Sequence, residues 1–258
     1  MRLPIEWGGE STLASNGKVA FITGANRGIG FETARELGEK GVHVVLGSRD
    51  EQKGREAAAK LRQSGIEADS IQFDVGDAKR SRAIYDFFDE RFGKLDILVN
   101  NAGIMLESLK NENKTSAISS EVLRKTFDTN FFNLIELTQV LLPLVEKAPA
   151  GRIVNLSSIL GSLTLQADPK SPLGPGKPFA YDASKTALNA FTIHLAGELR
   201  GTKIKVNSAH PGWVKTAMGG SQAPMEVSEG GKTSAQLALL PDDGPTGGYF
   251  HLGKALPW

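Results

Sequence analysis

A chain of 258 residues, 40% of them hydrophobic, has the length for one large α/β domain or two small ones and enough apolar material for a sizeable core. Its formal net charge of +1, with acids and bases interspersed, leaves no electrostatic footprint for nucleic acid or an anionic membrane. The absence of cysteine excludes disulfides and a cysteine nucleophile, and the scattered His43, His194, His210 and His251 offer no metal-ligand spacing, so no metal is expected.

Residues 1–17 are rich in Gly, Ser and Pro and read as a tail ahead of a catalytic domain at 18–258. That tail has no apolar run of signal-peptide length, and no stretch approaches the roughly 20 apolar residues that span a bilayer. The expectation is a soluble, cytoplasmic protein without a membrane partner. From Lys18 onward, short β-branched runs at 19–23, 42–47, 70–73, 95–100, 152–156 and 203–208 alternate with helical stretches. The helices are expected at 29–40, 51–64, 78–92, 122–145 and 180–199, followed by a short one near 234–240 and a brief strand near 249–250. The strand runs are continuously apolar, as in a parallel sheet covered on both sides. Strands alternating with helices imply right-handed βαβ units. The expected fold class is α/β: a doubly wound Rossmann fold, a single domain with a mostly parallel seven-stranded sheet and helices on both faces. Two polar segments, 108–121 and the four-proline run at 166–178, read as loops.

The segment Thr23-Gly24-Ala25-Asn26-Arg27-Gly28-Ile29-Gly30 joins the first strand to the first helix. Glycine permits positive φ and removes the Cβ, so the backbone can approach a pyrophosphate closely. The free N–H groups and positive end of the helix then favour the anion. Gly24, Asn26, Arg27, Gly28, Ile29 and Gly30 are therefore candidate cofactor-binding residues. After the fourth strand, Asn101-Ala102-Gly103 lets backbone pass beside a ligand, and the Asn can tie neighbouring strands.

Ser158 ends the fifth strand, at the edge where parallel sheets place ligands, and no Gly-x-Ser-x-Gly elbow surrounds it. Tyr181 and Lys185 are four apart and share one helix face. A free phenol, with a pKa of about 10, is a poor base at neutral pH. A nearby ammonium and an oxidised nicotinamide are expected to lower that value. In the reductive direction Tyr181 donates a proton to a carbonyl oxygen; in reverse its phenolate takes one from an alcohol.

Taken in this order, the four elements resemble the short-chain dehydrogenase/reductase family from about residue 18 to about residue 250, and its NADPH-using, carbonyl-reductase-like members in particular. The resemblance implies a catalytic set of Asn130, Ser158, Tyr181 and Lys185, with Ser158 rather than Ser157 bonding the substrate oxygen. Lys185 would also hold the nicotinamide-ribose hydroxyls, and Asn130 would link a water chain to it. NAD-preferring relatives carry Asp at the end of the second strand, where Ser48 and Arg49 stand here. Arg27 and Arg49, with no carboxylate between them, suit a 2′-phosphate, since Arg pairs with one bidentately. Asp50 reads as the N-cap of the next helix. The implied cofactor is NADP(H). Asp74 and Val75 resemble the pair that holds the adenine. Pro211, Gly212, Val214 and Thr216 belong to the segment that cradles the nicotinamide. Asn133 departs from the family's usual Gly.

The implied activity is reversible NADPH-dependent reduction of a ketone, aldehyde or quinone. The alternatives are an NAD-dependent alcohol dehydrogenase, a non-catalytic dinucleotide-sensing regulator and a sugar-nucleotide epimerase or dehydratase. The complete catalytic set argues against the regulator, and the little chain left after Thr216 argues against the epimerase. The candidate substrate wall, 217–233, is short and rich in Gly and Ser. The 22 residues between Ser158 and Tyr181 exceed the family's short pattern and resemble the insertion of monomeric relatives, which favours a monomer.

Overall fold

Val19 and Phe21 of the first strand, β1 (Val19–Thr23), pack on one face of the sheet, and Ala20 and Ile22 pack on the other. This alternation is the period of a strand, so a continuously apolar run needs cover on both sides. A computed structural model describes residues 17–75, 80–108, 113–171, 173 and 177–258. The expected tail lies outside the described residues except for Gly17, as do residues 76–79, 109–112, 172 and 174–176 within expected elements and loops.

The other strands are β2 (His43–Ser48), β3 (Ala68–Gln72), β4 (Ile97–Asn100), β5 (Arg152–Leu156), β6 (Lys205–Ala209), β7 (Tyr249–His251) and β8 (Lys254–Ala255). They form one sheet in the order β3-β2-β1-β4-β5-β6-β7-β8. All neighbours are parallel except β7 and β8. The seven expected strands are present, and the two-residue β8 adds an eighth through the turn at Leu252 and Gly253.

Helices α1 (Gly28–Gly38), α2 (Glu51–Gln63) and α8 (Lys232–Ala238) cover one face through Leu37, Leu61 and Leu237. On the other face lie α3 (Ser81–Phe92), α5 (Asn133–Glu146) and α7 (Phe179–Glu198), which contribute Phe88, Leu141 and Leu195. The strand order reverses between β1 and β4, and the crevice this leaves at their carboxyl ends is where such sheets bind ligands.

Two elements differ from expectation. The uninterrupted helix expected at 122–145 is instead α4 (Ser120–Phe127), a π-helical turn at Asp128–Phe132, and then α5. The wider turn carries Asn130 fully into the interior and leaves Phe132 56% exposed. The proline-rich segment expected as pure loop overlaps a short helix, α6 (Leu163–Ala167), whose Ser162 hydroxyl accepts from the Leu165 amide. Among the described residues no helix is long and apolar enough to cross a membrane.

Candidate active site

Gly24 and Gly28 both take positive φ, 65° and 60°, which reverses the chain between β1 and α1. The N-terminus of α1 has no side-chain cap from Arg27 and no acidic residue in its first turn, so its N–H groups and dipole suit an anion. Gly30 is required for another reason. A Cβ there would fall 2.5 Å from Asn101 Nδ2 and 2.7 Å from the Gly24 carbonyl oxygen. Asn101 donates through that nitrogen to the carbonyl oxygens of Thr23 (2.7 Å) and Gly24 (3.2 Å). The amides of Asn101 and Ala102 both donate to Thr23 Oγ1. The end of β4 is thereby laced to the glycine turn.

Beside the turn lies an open cleft of about 530 Å³, whose lining includes Asn26, Arg27, Ser48, Arg49, Asp50 and Lys53. Asp50 accepts from the Lys53 amide and caps α2, a bond that also holds its carboxyl below the usual range. The Ser48 hydroxyl is buried and donates to the Asp50 carbonyl at 2.7 Å, so it is engaged by its own chain. Two arginines and two lysines, Lys53 and Lys60, therefore border the cleft, against two carboxylates, Asp50 at the helix terminus and Glu56, which accepts from Gln52 Nε2 at 3.0 Å. That arrangement fits a 2′-phosphate. Asp74 and Val75 follow β3, with Val75 half-buried against the core, and Ile29 packs against the opposite one.

Past β6 the chain turns at Pro211 and Gly212, the latter at φ 92°. A parallel bridge pairs Val214 with Met225. A Cβ on Gly28 would sit 3.8 Å from Thr216 Cγ2, so this segment returns to the glycine turn. Thr216 Oγ1 accepts from the Gly219 amide at 3.0 Å.

Asn130, Ser158, Tyr181 and Lys185 are all buried. The Ser158 hydroxyl accepts from the Leu160 amide at 3.3 Å and lies close enough to the Tyr181 phenol to favour its anion. Ser157 Oγ is buried without a hydrogen-bond partner. Lys185 Nζ donates to the Leu156 carbonyl at 2.7 Å and lies 5.7 Å from the centre of the Tyr181 ring. A Cβ on Gly103 would stand 3.5 Å from that nitrogen and 3.3 Å from Asn130 Oδ1, so a bare backbone suits the space between them. Asn130 holds Ile104 by both backbone groups and donates to Ser184 Oγ at 3.0 Å. It makes no direct bond to Lys185.

Burial pushes the Tyr181 phenol up to about 12, against the opposing Ser158 hydroxyl and with a further rise from Asp182. The expected lowering involves an oxidised nicotinamide beside the phenol; the protein's own groups, burial foremost, act in the other direction. Lys185 directs its ammonium to the Leu156 carbonyl, and its own value is pulled down to about 8 by burial. Among the protein's own groups Tyr181 is a protonated acid at neutral pH. His210 is buried, pulled down to about 3, and accepts from the Ile159 amide; it is a neutral packing residue. No group of three or more potential metal ligands occurs among the described residues.

Three contributors escaped the sequence reading. Glu107 Oε2 accepts from the Tyr181 backbone amide at 3.0 Å. Asp182, next to Tyr181, is buried and bonded to Gln166 Nε2 at 2.8 Å. Asp182 lies inside the recognised Tyr181–Lys185 segment, but no spacing rule pairs it with Glu107 or Gln166.

A short chain dehydrogenase profile matches residues 18–227. The chain belongs to the short chain dehydrogenase family. Within that family it is 36% identical to carbonyl reductase [NADPH] 1 of Mus musculus, over 95% of this chain and 100% of the mouse protein. The structure of salutaridine reductase from Papaver somniferum superposes with a TM-score of 0.78 at 32% identity, covering 90% of this chain and 99% of that one. An NADPH-bound carbonyl reductase from chicken fatty liver superposes with a TM-score of 0.82 at 26% identity, covering 96% of each chain.

Proposed function

We propose that this short chain dehydrogenase is an NADPH-dependent carbonyl reductase, reversible as an alcohol dehydrogenase. The observation that carries the reading is the burial of Ser158, Tyr181 and Lys185 together, with Lys185 Nζ 5.7 Å from the Tyr181 ring one helical turn along α7. The mouse and chicken relatives, named as carbonyl reductases with NADPH, support it.

Bound NADPH would supply the hydride to the carbonyl carbon. Gly24, Gly28 and the first turn of α1 would hold its pyrophosphate. Arg27 and Arg49 would pair with the 2′-phosphate across the cleft. Asp74 and Val75 would meet the adenine, and Val214 and Thr216 the carboxamide. At the reacting end the Ser158 hydroxyl would bond the substrate oxygen and Tyr181 would donate the proton to it. Lys185 would position ribose hydroxyls and favour the phenolate left after transfer. Gly103 keeps the space between Asn130 and Lys185 clear of a side chain.

A turnover screen against aldehydes, ketones and quinones, with NADPH and NADH in parallel, tests this reading. NADPH oxidation coupled to alcohol formation is the expected result, and no turnover across all three classes contradicts it. The reading extends to a cytoplasmic monomer, on the lack of cysteine and on the long interval between Ser158 and Tyr181. Light scattering should then return 27.6 kDa, and a stable tetramer contradicts it.

A further inference from the structure

Helix α7 carries Tyr181 in its first turn, yet its own N-cap, Pro178, provides no side-chain bond. The first N–H groups of a helix have no partner inside it, so an unaided first turn frays. Here the bond comes from outside the helix. Glu107, in the chain after β4, accepts from the Tyr181 amide at 3.0 Å. Asn130 pins the same stretch of chain three residues earlier, at both backbone groups of Ile104.

Asp182 is buried beside this bond. Its Oδ2 accepts from Gln166 Nε2, which also donates to the Leu160 carbonyl at 2.9 Å, while Oδ1 has no hydrogen-bond partner. The titratable groups acting on Asp182 are Glu107 from the chain after β4, Lys177 from the segment ahead of α7 and, next to it on its own helix, the neutral Tyr181 phenol; α6 presents only the neutral Gln166. Lys177 Nζ is bonded to the Gln166 carbonyl at 2.9 Å.

We propose that Glu107 is a positioning residue for Tyr181, clamping the first turn of the catalytic helix, and that ionisation of Asp182 loosens this clamp. The inference rests on the reading of Tyr181 as proton donor. A second negative charge beside Glu107, on a carboxyl with an unpartnered buried oxygen, repels Glu107 from the Tyr181 amide. Burial first and then the Glu107 charge raise the Asp182 carboxyl to about 7, which brings its ionisation into the working pH range. Proton transfer is steep in donor placement, so a small displacement of the first turn slows the chemical step while cofactor binding stays unchanged.

The test measures single-turnover rates at saturating NADPH between pH 5.5 and 8.5, with whichever of benzaldehyde, acetophenone and menadione the wild type reduces fastest. Amide exchange at the start of α7 is followed in parallel. Glu107→Ala should slow the rate at pH 6 about tenfold, leave the NADPH dissociation constant unchanged and speed exchange at Tyr181. Glu107→Gln keeps an acceptor oxygen and should recover most of the rate. Wild type should lose rate as pH rises through about 7, and Asp182→Asn should flatten that fall while leaving any limb from Lys185 near 8 in place. A Glu107→Ala rate within twofold of wild type, with unchanged exchange at Tyr181, overturns the clamp. A fall that persists unaltered in Asp182→Asn overturns the role of Asp182. Tyr181→Phe, run alongside, separates the two ideas: near-normal turnover there strikes the donor assignment and leaves the exchange result to judge the clamp.

Discussion

Asn130 grips Ile104 at both of its backbone groups, accepting from its amide at 2.8 Å and donating to its carbonyl at 2.9 Å. This pairing mimics a strand partner, and it is made from inside the π turn at Asp128–Phe132. An ordinary turn would place the residues of this segment differently about the axis, and the extra residue aims the amide at the chain beyond β4. Single π turns inside α-helices occur often at functional sites for this reason.

Asn130→Ala should leave both Ile104 groups without their partner. Each lost bond costs about 1–3 kcal/mol, so for the two together calorimetry should show Tm falling by roughly 4–20 °C. Asn130→Asp should do no better, because a carboxylate faces the Ile104 carbonyl with no hydrogen to give. An unchanged Tm in both variants would mean that the π turn holds without this contact.

Arg49→Ala, and more so the double variant with Arg27→Ala, should raise KM for NADPH far more than KM for NADH. A charge-assisted bond to the 2′-phosphate is worth roughly 1.5–3 kcal/mol, or about one to two decades in affinity. Steady-state kinetics with both cofactors is the check, and an unaltered NADPH/NADH preference after both substitutions refutes the assignment of the cleft.

Asp182 makes stability depend on pH in a fixed direction. Its folded value of about 7 lies above the ordinary 3.8, so folding favours the protonated form. A group raised in this way contributes stability that is complete below its unfolded value and lost as pH rises through its folded value. Relative to Asp182→Asn, the wild type should lose on the order of 2–4 kcal/mol between about pH 4 and pH 7, then level off. Urea titrations at pH 4, 6 and 8 measure this, and a constant gap between the two proteins would contradict it.

The sheet was legible because the strands are buried on both faces: Val19 to Thr23 can only be a covered strand, and the glycine turn after it fixes where the sheet reverses. The candidate site was legible where one segment carries its own spacing, as Tyr181 and Lys185 do. Bonds between distant segments left no such signature. Nothing local announces that Asn130 will bind Ile104, or that Glu107 will reach the Tyr181 amide 74 residues away. The contribution of burial to the Tyr181 phenol was hidden for the same reason. The sequence places an ammonium near the phenol, but only the packed structure reveals that burial outweighs it and that Lys185 turns to the Leu156 carbonyl. Strand β8 escaped because two residues, Lys254 and Ala255, are too few for a periodic pattern.

Whether the Tyr181 hydroxyl delivers the proton is decided by Tyr181→Phe, with circular dichroism and NADPH titration beside turnover. The ring keeps its packing and only the donor oxygen is removed, so fold and NADPH affinity should be retained while carbonyl reduction falls at least about 10²-fold. Turnover within a few-fold of wild type, in a variant that folds and binds NADPH normally, would contradict the account.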